Sequence, residues 1–268
     1  MLESFNMKNK VAVVTGATGT LGQRFVDALL GAGARVTLVG RNGDHLQNMA
    51  RAIGSRALPQ QANVLDKVQL EAARQHTLEK WGQIDVLVNA AGGNLPGAVL
   101  ASDASFFDLS LSDFGKVVEL NLQGSVLPCL VFGPALADRV SASIINISSM
   151  AADRPLTRVG GYAAAKAALD NFTKWTAVEI ARRYGDSVRV NAIAPGFFIA
   201  EQNRALLLNE DGSLTERGQS IIDATPMGRF GKPEELQGTL LWLASEASRF
   251  VTGTVIPVDG GFSAYSGV

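Results

Sequence analysis

The sequence is almost devoid of cysteine, since Cys129 is the only one among 268 residues. One thiol cannot form an internal disulfide, which excludes a disulfide-stapled secreted scaffold. Its neighbours in the segment VLPCLVF are apolar, and this context favours a small buried hydrophobic residue over a catalytic thiol. The cysteine content therefore fits a reducing compartment.

An excess of charge is also lacking. Lys and Arg total 24 against 25 Asp and Glu, the net charge is -1, and no long block of like charge occurs. Nucleic acids and anionic membranes attract clustered basic residues, so we expect neither as a partner. The two histidines, His45 and His76, lie in polar helical segments, and no metal site is predicted.

Long apolar runs and a targeting segment are missing as well. The start, MLESFNMKNKVAVV, has no basic segment followed by an apolar stretch and a small-residue cleavage site. No run reaches the roughly 18 apolar residues of a membrane span. We therefore expect a soluble, cytoplasmic protein.

What the chain does contain is a regular alternation of short β-branched segments with longer segments of helical period. Such alternation is typical of a parallel sheet covered on both faces. We predict one Rossmann-like, doubly wound α/β domain over residues 1–268, with about seven strands and helices on both faces. The predicted strands are 11–15, 35–40, a weaker 56–64, 84–89, 143–148, 188–193 and 254–259, and the predicted helices are 22–32, 43–53, 66–81, 113–138, 161–184 and 233–246.

One segment interrupts this pattern near the end of the chain. Residues 196–232 are long, polar in the middle and inserted between the last two predicted strands. Long insertions at strand ends of such folds usually serve the ligand site, so we interpret this one as a substrate loop.

The first strand leads into a glycine turn and a helix, as VAVVTGATGTLGQRFVDALLGAG shows. Gly16 and Gly22 permit a tight turn and close packing, and the amides at the helix start can bind a pyrophosphate. The alternative is an ordinary strand–helix connection. Two further segments favour a dinucleotide site, because VNAAGG and NVLD place Asn89, Ala90, Gly92 and Asn63 at strand ends.

The end of the second strand indicates the cofactor. An acidic residue there would accept from a ribose 2′-hydroxyl, but VTLVGRN has Gly40 and Arg41 instead. A guanidinium can hold a 2′-phosphate, which favours NADP(H). The alternative is a solvated arginine that stacks on adenine and tolerates NAD(H) equally well.

A third cluster predicts proton-transfer chemistry. Tyr162 and Lys166 lie four residues apart, on one face of a predicted helix, and Ser149 ends a strand thirteen residues before Tyr162. An ammonium about 4 Å from a phenol is worth roughly 4 kcal/mol at an effective dielectric near 20, or about three pKa units. Lys166 could therefore bring the pKa of Tyr162 near physiological pH.

These segments together resemble the short-chain dehydrogenase/reductase family over essentially the whole chain. The matching pieces are TGATGTLG, NAAG, NLQG, ISS thirteen residues before YAAAK, and NAIAPG. The resemblance implies hydride transfer between a nicotinamide and a secondary alcohol or ketone, with a homo-dimer or homo-tetramer as the assembly. It implies that Tyr162 is the acid–base, Lys166 lowers its pKa and binds the nicotinamide ribose, Ser149 orients the carbonyl, and Asn121 holds a relay water.

The resemblance also implies a set of cofactor-binding residues. They are Gly16, Thr18, Gly19, Thr20, Leu21, Gly22, Arg41, Asn63, Val64, Asn89, Ala90, Ala91, Gly92, Tyr162, Lys166, Pro195, Gly196 and Phe198. The chain departs from the family pattern at three positions, where Thr20 replaces a glycine, Asn63 an acidic residue and Ala200 a hydroxyl residue. None of these departures touches the proton-transfer residues.

The insertion GFFIAEQNRALL and the tail VDGGFSAYSGV resemble the sugar-acid enzymes of the D-mannonate oxidoreductase (fructuronate reductase) subgroup. A polyol carboxylate needs a guanidinium and amide partners, and we rank Arg204 first, then Arg158 and Arg154. Solvated loop residues are the alternative. The predicted substrate residues are Asn94, Arg154, Arg158, Gln202 and Arg204.

Two other functions stay open. One is a 3-oxoacyl or general carbonyl reductase, whose site would be more apolar. The other is a cofactor-sensing regulatory module that kept the fold and lost the chemistry, which would be expected to lack the pair of Tyr162 and Lys166.

Overall fold

The seven predicted strands form one parallel sheet in a computed structural model that describes residues 3–101 and 103–267, without the side chains of Glu201 and Gln202. The strand order is β3-β2-β1-β4-β5-β6-β7, and every neighbouring pair is parallel. The strands are β1 Val11–Thr15, β2 Arg35–Gly40, β3 Ala57–Gln61, β4 Val86–Asn89, β5 Ala142–Ile147, β6 Val188–Pro195 and β7 Val255–Val258.

Helices connect the strands and cover the sheet. Within the described residues they are α1 Thr20–Gly31, α2 Gly43–Ile53, α3 Lys67–Trp81, α4 Leu111–Val118, α5 Gly124–Ala137, α6 Gly160–Tyr184, α7 Glu201–Leu207, α8 Glu216–Asp223 and α9 Gln237–Ala244. Two apolar clusters form between sheet and helices. One contains Phe25 and Leu240 from α1 and α9, and the other contains Phe132 and Leu136 from α5.

The central strands are buried along their whole length, which explains their apolar, β-branched sequences. All residues of β1, β4, β5 and β6 are buried. Strand order reverses between β1 and β4, because β2 lies on one side of β1 and β4 on the other. In open parallel sheets such a reversal opens a crevice at the carboxyl ends of the strands. The fold therefore creates a groove beside Thr15 and Asn89.

The predicted fold class is confirmed, but the segment 113–138 is not one regular helix. α4 and α5 are joined by a five-residue π-helix, Glu119–Gln123. An inserted π turn rotates the helix that follows, and π turns are frequent at functional sites. The sequence expectation missed this irregularity.

The continuous helical stretch Leu111–Ala137 is long and apolar enough to cross a membrane by length and composition alone, with a mean hydropathy of 1.4 over its most apolar window. This differs from the expectation that no such segment exists. One face of the second half packs in the protein interior, where Phe132 and Leu136 are fully buried, while Leu130 on the same helix is exposed. Length and composition alone do not distinguish a membrane span from an apolar helix in a protein core.

The insertion at 196–232 has secondary structure of its own. It contains α7 and α8, closed by an isolated bridge between Leu208 and Leu214. A second bridge, from Phe198 to Gly231, joins its two ends beside β6. The insertion therefore rises from the carboxyl edge of the sheet, on the side of the groove.

Candidate active site

The glycine turn after β1 brings the backbone very close to the end of β4. Gly16 has a φ of 64°, and a side chain at this position would lie 2.8 Å from the Ala90 carbonyl oxygen. At Gly22 it would lie 2.1 Å from the Gly16 oxygen. Only glycine permits both contacts, so the turn and the start of α1 are packed as a phosphate-binding loop requires.

The start of α1 offers free backbone donors. Its N-cap residue is Gly19, and no side chain of the described residues caps it. Thr20 and Leu21 are the first helical residues, and Thr18 lies in the turn. The exposed N–H groups and the dipole of this twelve-residue helix suit a pyrophosphate. Thr20, in place of the family glycine, lies inside the helix and leaves these amides available.

The adenosine end of the groove is polar. Arg41 is exposed directly after β2, and its carbonyl accepts a bond from Gln61 Nε2 at 3.1 Å. The Asn63 side-chain oxygen already accepts from the Leu65 N–H at 3.1 Å. Val64 is buried against Gly124.

The Asn89 amide nitrogen is bonded inside the protein. The residue is buried, and its amide donates to Asn146 Oδ1 at 2.9 Å and to Cys129 Sγ at 3.2 Å. The Asn89 Nδ2 group is thus bonded to β5 and α5, while its buried Oδ1 has no hydrogen-bond partner among the described residues, and cofactor binding by Asn89 stays a prediction. Burial raises the pKa of the Cys129 thiol to about 12, which agrees with an inert thiol.

The residues after Asn89 do line the groove. The Ala90 and Ala91 N–H groups donate to Thr15 Oγ1 at 3.2 and 3.3 Å. A side chain on Gly92 would lie 2.8 Å from Asn121 Oδ1 and 3.4 Å from Lys166 Nζ. Residues 90–92 therefore lie between the glycine turn of the cofactor groove and the side chains of Asn121 and Lys166.

Ser149 and Tyr162 meet at the carboxyl edge of the sheet. Ser149 follows β5, and its hydroxyl accepts from the Ala151 N–H at 3.2 Å. Tyr162 lies in the first turn of α6. Burial raises the pKa of the Tyr162 phenol, and a hydrogen bond with Ser149 opposes that rise.

Lys166 lies one turn beyond Tyr162 and is buried. Its ammonium donates to the Ile147 carbonyl at 2.7 Å and lies 5.6 Å from the centre of the Tyr162 ring. Burial lowers the pKa of Lys166 to about 8, while Asp170 opposes that shift. The structure thus differs from the expected depression of the Tyr162 pKa by Lys166, because burial is the dominant influence on both groups.

Asn121 lies in the π-helix and is completely buried. Its amide donates to the Gly93 carbonyl at 2.7 Å and to the Val117 carbonyl at 2.9 Å, and its oxygen accepts from the Gly93 N–H at 3.1 Å. The side chain therefore clamps the loop after β4 onto the irregular helix.

The end of β6 borders a cavity of about 380 Å³. Gly196, after Pro195, packs so tightly that a side chain would lie 2.6 Å from the Asp259 Cα. Phe198 is buried and lines the cavity. Other lining residues are Phe197, Thr225, Met227, Arg229 and Asp259.

The predicted substrate residues are scattered. Asn94 Oδ1 accepts from the neighbouring Leu95 N–H. Arg154 donates twice to the Ser263 carbonyl, at 2.9 and 2.7 Å, so it holds the C-terminal tail. Arg204 is exposed and has no carboxylate within 4.0 Å in the part of the chain described. The side chain of Gln202 lies outside the described residues.

Two charged residues at the site were missed by the sequence analysis. Asp170 follows Lys166 by one helical turn, and this spacing could have identified it. Arg217 in α8 contacts Thr157, the residue before Arg158, and burial and the charge of Arg158 both lower the pKa of Arg217. No local pattern connects these two arginines, because they are far apart in the chain.

Comparisons with known proteins agree with this geometry. A family model described as enoyl-(acyl carrier protein) reductase matches residues 16–263. An uncharacterized oxidoreductase of Bacillus subtilis, UxuB, is 46% identical over 98% of both chains.

Solved structures are similar over the same length. A Haemophilus influenzae protein provisionally named D-mannonate oxidoreductase, with bound NAD, is 43% identical over 98% of both chains, with a TM-score of 0.90. A gluconate 5-dehydrogenase of Burkholderia cenocepacia, in complex with NADP and tartrate, is 30% identical over 98% of this chain and 99% of its own, with a TM-score of 0.86.

Proposed function

The chain belongs to the short-chain dehydrogenase/reductase family and is an NAD(P)-dependent oxidoreductase, and from this premise we propose that it interconverts a secondary hydroxyl of a sugar acid and the corresponding ketone. The observation that carries the proton-transfer part is the meeting of Ser149 and Tyr162 beside the buried Lys166.

Each residue of this set has a distinct task in the proposal. The Tyr162 hydroxyl gives a proton to the carbonyl oxygen during reduction and takes it back during oxidation. The Ser149 hydroxyl donates to the same oxygen and fixes its position. Lys166 supplies positive charge close to the phenol, which favours the phenolate when the proton leaves. Asn121 holds the loop at Gly93, beside the Gly92 backbone that Lys166 also faces.

The groove residues fit a nicotinamide dinucleotide. Gly16 and Gly22 are packed so closely against neighbouring backbone that no side chain would fit at either position. The start of α1 has amide donors available for a pyrophosphate. Lys166 carries three N–H donors and faces Gly92, so it can also hold a ribose hydroxyl. Such a cofactor, when bound, supplies or accepts the hydride. We propose NADP(H) as the preferred form, with NAD(H) as the alternative, because Arg41 is the charged residue after β2.

The sugar-acid part is supported by the similar proteins. One is provisionally named for D-mannonate and another acts on gluconate, and both names denote hexonates. The family-model description favours acyl-carrier substrates, so a 3-oxoacyl or general carbonyl reductase is the second candidate. We further propose a cytoplasmic homo-oligomer that acts on a small molecule.

A substrate panel separates these functions. The purified protein is assayed at 340 nm with D-mannonate and D-mannitol for oxidation, and with D-fructuronate, D-fructose and acetoacetyl-CoA for reduction. We expect kcat/KM for D-fructuronate to exceed that for D-fructose and for acetoacetyl-CoA by at least about tenfold, the effect of one charge-assisted contact. A higher value for acetoacetyl-CoA would replace the sugar-acid function by the 3-oxoacyl one.

A further inference from the structure

The loop before α6 contains a strained arginine. Arg158 has a φ of 73°, one of two positive values among the non-glycine residues that the structure describes. A left-handed backbone at a non-glycine residue costs free energy and is concentrated at functional sites. Four residues later the chain reaches Tyr162, so this conformation lies at the entrance to the proton-transfer residues.

Arg158 is held in this conformation by the loop that follows β4. The Leu100 N–H donates to the Arg158 carbonyl at 3.0 Å, and Arg158 Nε donates to the Leu100 carbonyl at 2.7 Å. These two bonds fix the backbone and the inner edge of the guanidinium. Among the described residues, no hydrogen bond is made by the two terminal nitrogens of Arg158.

Arg217 comes to the same place from the insertion. Its Nη1 lies 3.4 Å from Thr157 Oγ1, next to Arg158 in the chain. The start of α8 is anchored, because Thr215 Oγ1 caps Gly218 at 3.0 Å and donates to the Leu206 carbonyl at 2.8 Å. Arg217 is therefore presented by a fixed turn rather than a loose loop.

Within the described residues, neither guanidinium has a counter-charge beside it. Among the described residues, no carboxylate lies within 4.0 Å of either, and both side chains are half-buried. Two like charges brought together away from bulk water disfavour each other, and the lowered pKa of Arg217 reflects both effects. An anion between them would remove this cost and accept several charge-assisted hydrogen bonds.

We propose that Arg158 and Arg217 form an anion subsite that binds the carboxylate of the substrate. This inference rests on the proposed sugar-acid function and adds a residue of the insertion that holds the carboxylate while the hydroxyl end reaches Ser149 and Tyr162. In this proposal neither Arg204 nor Arg154 binds the substrate carboxylate, because Arg204 is exposed and Arg154 binds the C-terminal tail.

The kinetic test uses a matched pair of substrates. D-fructuronate carries a carboxylate where D-fructose carries a hydroxymethyl group. In R158M and R217M we expect KM for D-fructuronate to rise by about 10- to 150-fold, the equivalent of one charge-assisted contact, with kcat changed less. The values for D-fructose should stay within about threefold of wild type, which a general structural defect would not allow.

Control variants distinguish loss of carboxylate binding from a general loss of positive charge. R182M removes a positive charge from the exposed end of α6 and should leave both substrates unchanged. R217K and R158K keep the charge without the planar fork and should recover part of the lost affinity. Retention of the wild-type preference for D-fructuronate in both methionine variants would overturn the subsite and leave the sugar-acid function intact.

Anion binding is measured separately from turnover. Tartrate, a small hydroxy-dicarboxylate, is titrated calorimetrically into wild type, R158M, R217M and R182M, each with NADP⁺ present. We expect binding to weaken at least tenfold in the two site variants only. Equal binding in all four proteins would reject the subsite. Loss of tartrate binding with no wild-type preference for D-fructuronate would support the subsite and reject the sugar-acid function.

Discussion

Tyr162 is the residue whose chemistry has the most direct test. Replacing it by Phe removes the transferable proton and little else, so we expect kcat to fall by about 10² to 10⁴ while cofactor affinity stays nearly unchanged. Steady-state kinetics and fluorescence titration of the cofactor give both values. The matched control is Y184F, which removes an exposed hydroxyl from the far end of the same helix. Activity of Y162F within about tenfold of wild type would reject the acid–base role.

Lys166 should make stability depend on pH in a defined direction. Its pKa is about 8 in the folded protein and 10.5 ordinarily, so between these values the unfolded chain binds more protons and stability rises with pH. Below pH 8 the Lys166 ammonium is charged in the folded protein as well, and its burial lowers the free energy of unfolding by up to about 3 kcal/mol, at 1.36 kcal/mol per pKa unit.

The variant K166M lacks this penalty. It also loses the bond to the Ile147 carbonyl at every pH, so the test is the trend with pH: between pH 8 and 10.5 we expect wild type to gain stability relative to K166M, in urea unfolding at a series of pH values. K174M, which removes an exposed lysine from the same helix, should show no such trend. A difference between K166M and wild type that is constant with pH would contradict the assignment.

Arg41 tests the cofactor preference. Replacement by Ala removes one charge-assisted contact with a 2′-phosphate, so we expect NADPH to bind roughly 10- to 150-fold more weakly, or about 1.5 to 3 kcal/mol, with NADH little affected. Dissociation constants for both cofactors measure this. Equal losses, or a wild-type preference for NADH, would show that Arg41 does not hold a phosphate.

At the scale of elements, the clamp between the π-helix and the loop after β4 is the feature with the clearest energetic consequence. N121A would leave the half-buried Gly93 N–H and carbonyl without their partner, which costs at most about 1 to 3 kcal/mol per unsatisfied group. We expect a lower denaturation midpoint and faster hydrogen exchange at Gly93.

The neighbouring variant Q123A serves as the control, because it changes the same π-helix without touching Gly93. If N121A matched Q123A in both midpoint and exchange rate, Asn121 would not be the clamp.

The elements were largely predictable where local sequence decides them. Strands such as β1 and β5 are short β-branched segments buried on both faces, and this pattern is typical of the central strands of a parallel sheet. The π-helix could not be predicted, because it depends on bonds between Asn121 and Gly93, which are distant in sequence. α7 and α8 were missed for a similar reason, since they are short and polar, and contacts such as Thr215 with Leu206 hold them.

The site was predictable only in part. Segments such as YAAAK identify Tyr162 and Lys166, but not that burial dominates the pKa of each. The sequence also could not show that the Asn89 amide is bonded to Asn146 and Cys129, or that Arg217 contacts Thr157, the neighbour of Arg158. Burial and long-range proximity are properties of the fold, not of any local pattern.

At the scale of the whole molecule, exposed apolar side chains on three helices favour self-association. Leu111, Leu130, Trp175 and Val178, from α4, α5 and α6, are each more than half exposed. Exposed apolar patches in soluble proteins usually mark interfaces. We therefore expect wild type to sediment as a dimer or tetramer, and W175E to dissociate it.

F250E provides the comparison for this experiment, because Phe250 is equally apolar and fully exposed but lies outside these helices. It should leave the sedimentation coefficient unchanged. A monomeric wild type, or equal behaviour of W175E and F250E, would show that the helices are not the interface.

The buried thiol makes the chain a convenient host for a spectroscopic reporter. With a pKa of about 12, Cys129 is thiolate in only roughly one molecule in 10⁵ at pH 7, so it does not compete for maleimide reagents. A cysteine introduced at exposed Glu210, on the insertion, would be the single reactive thiol in the protein. A fluorophore coupled there would report any change in the surroundings of the insertion as ligands bind, without prior removal of the native cysteine.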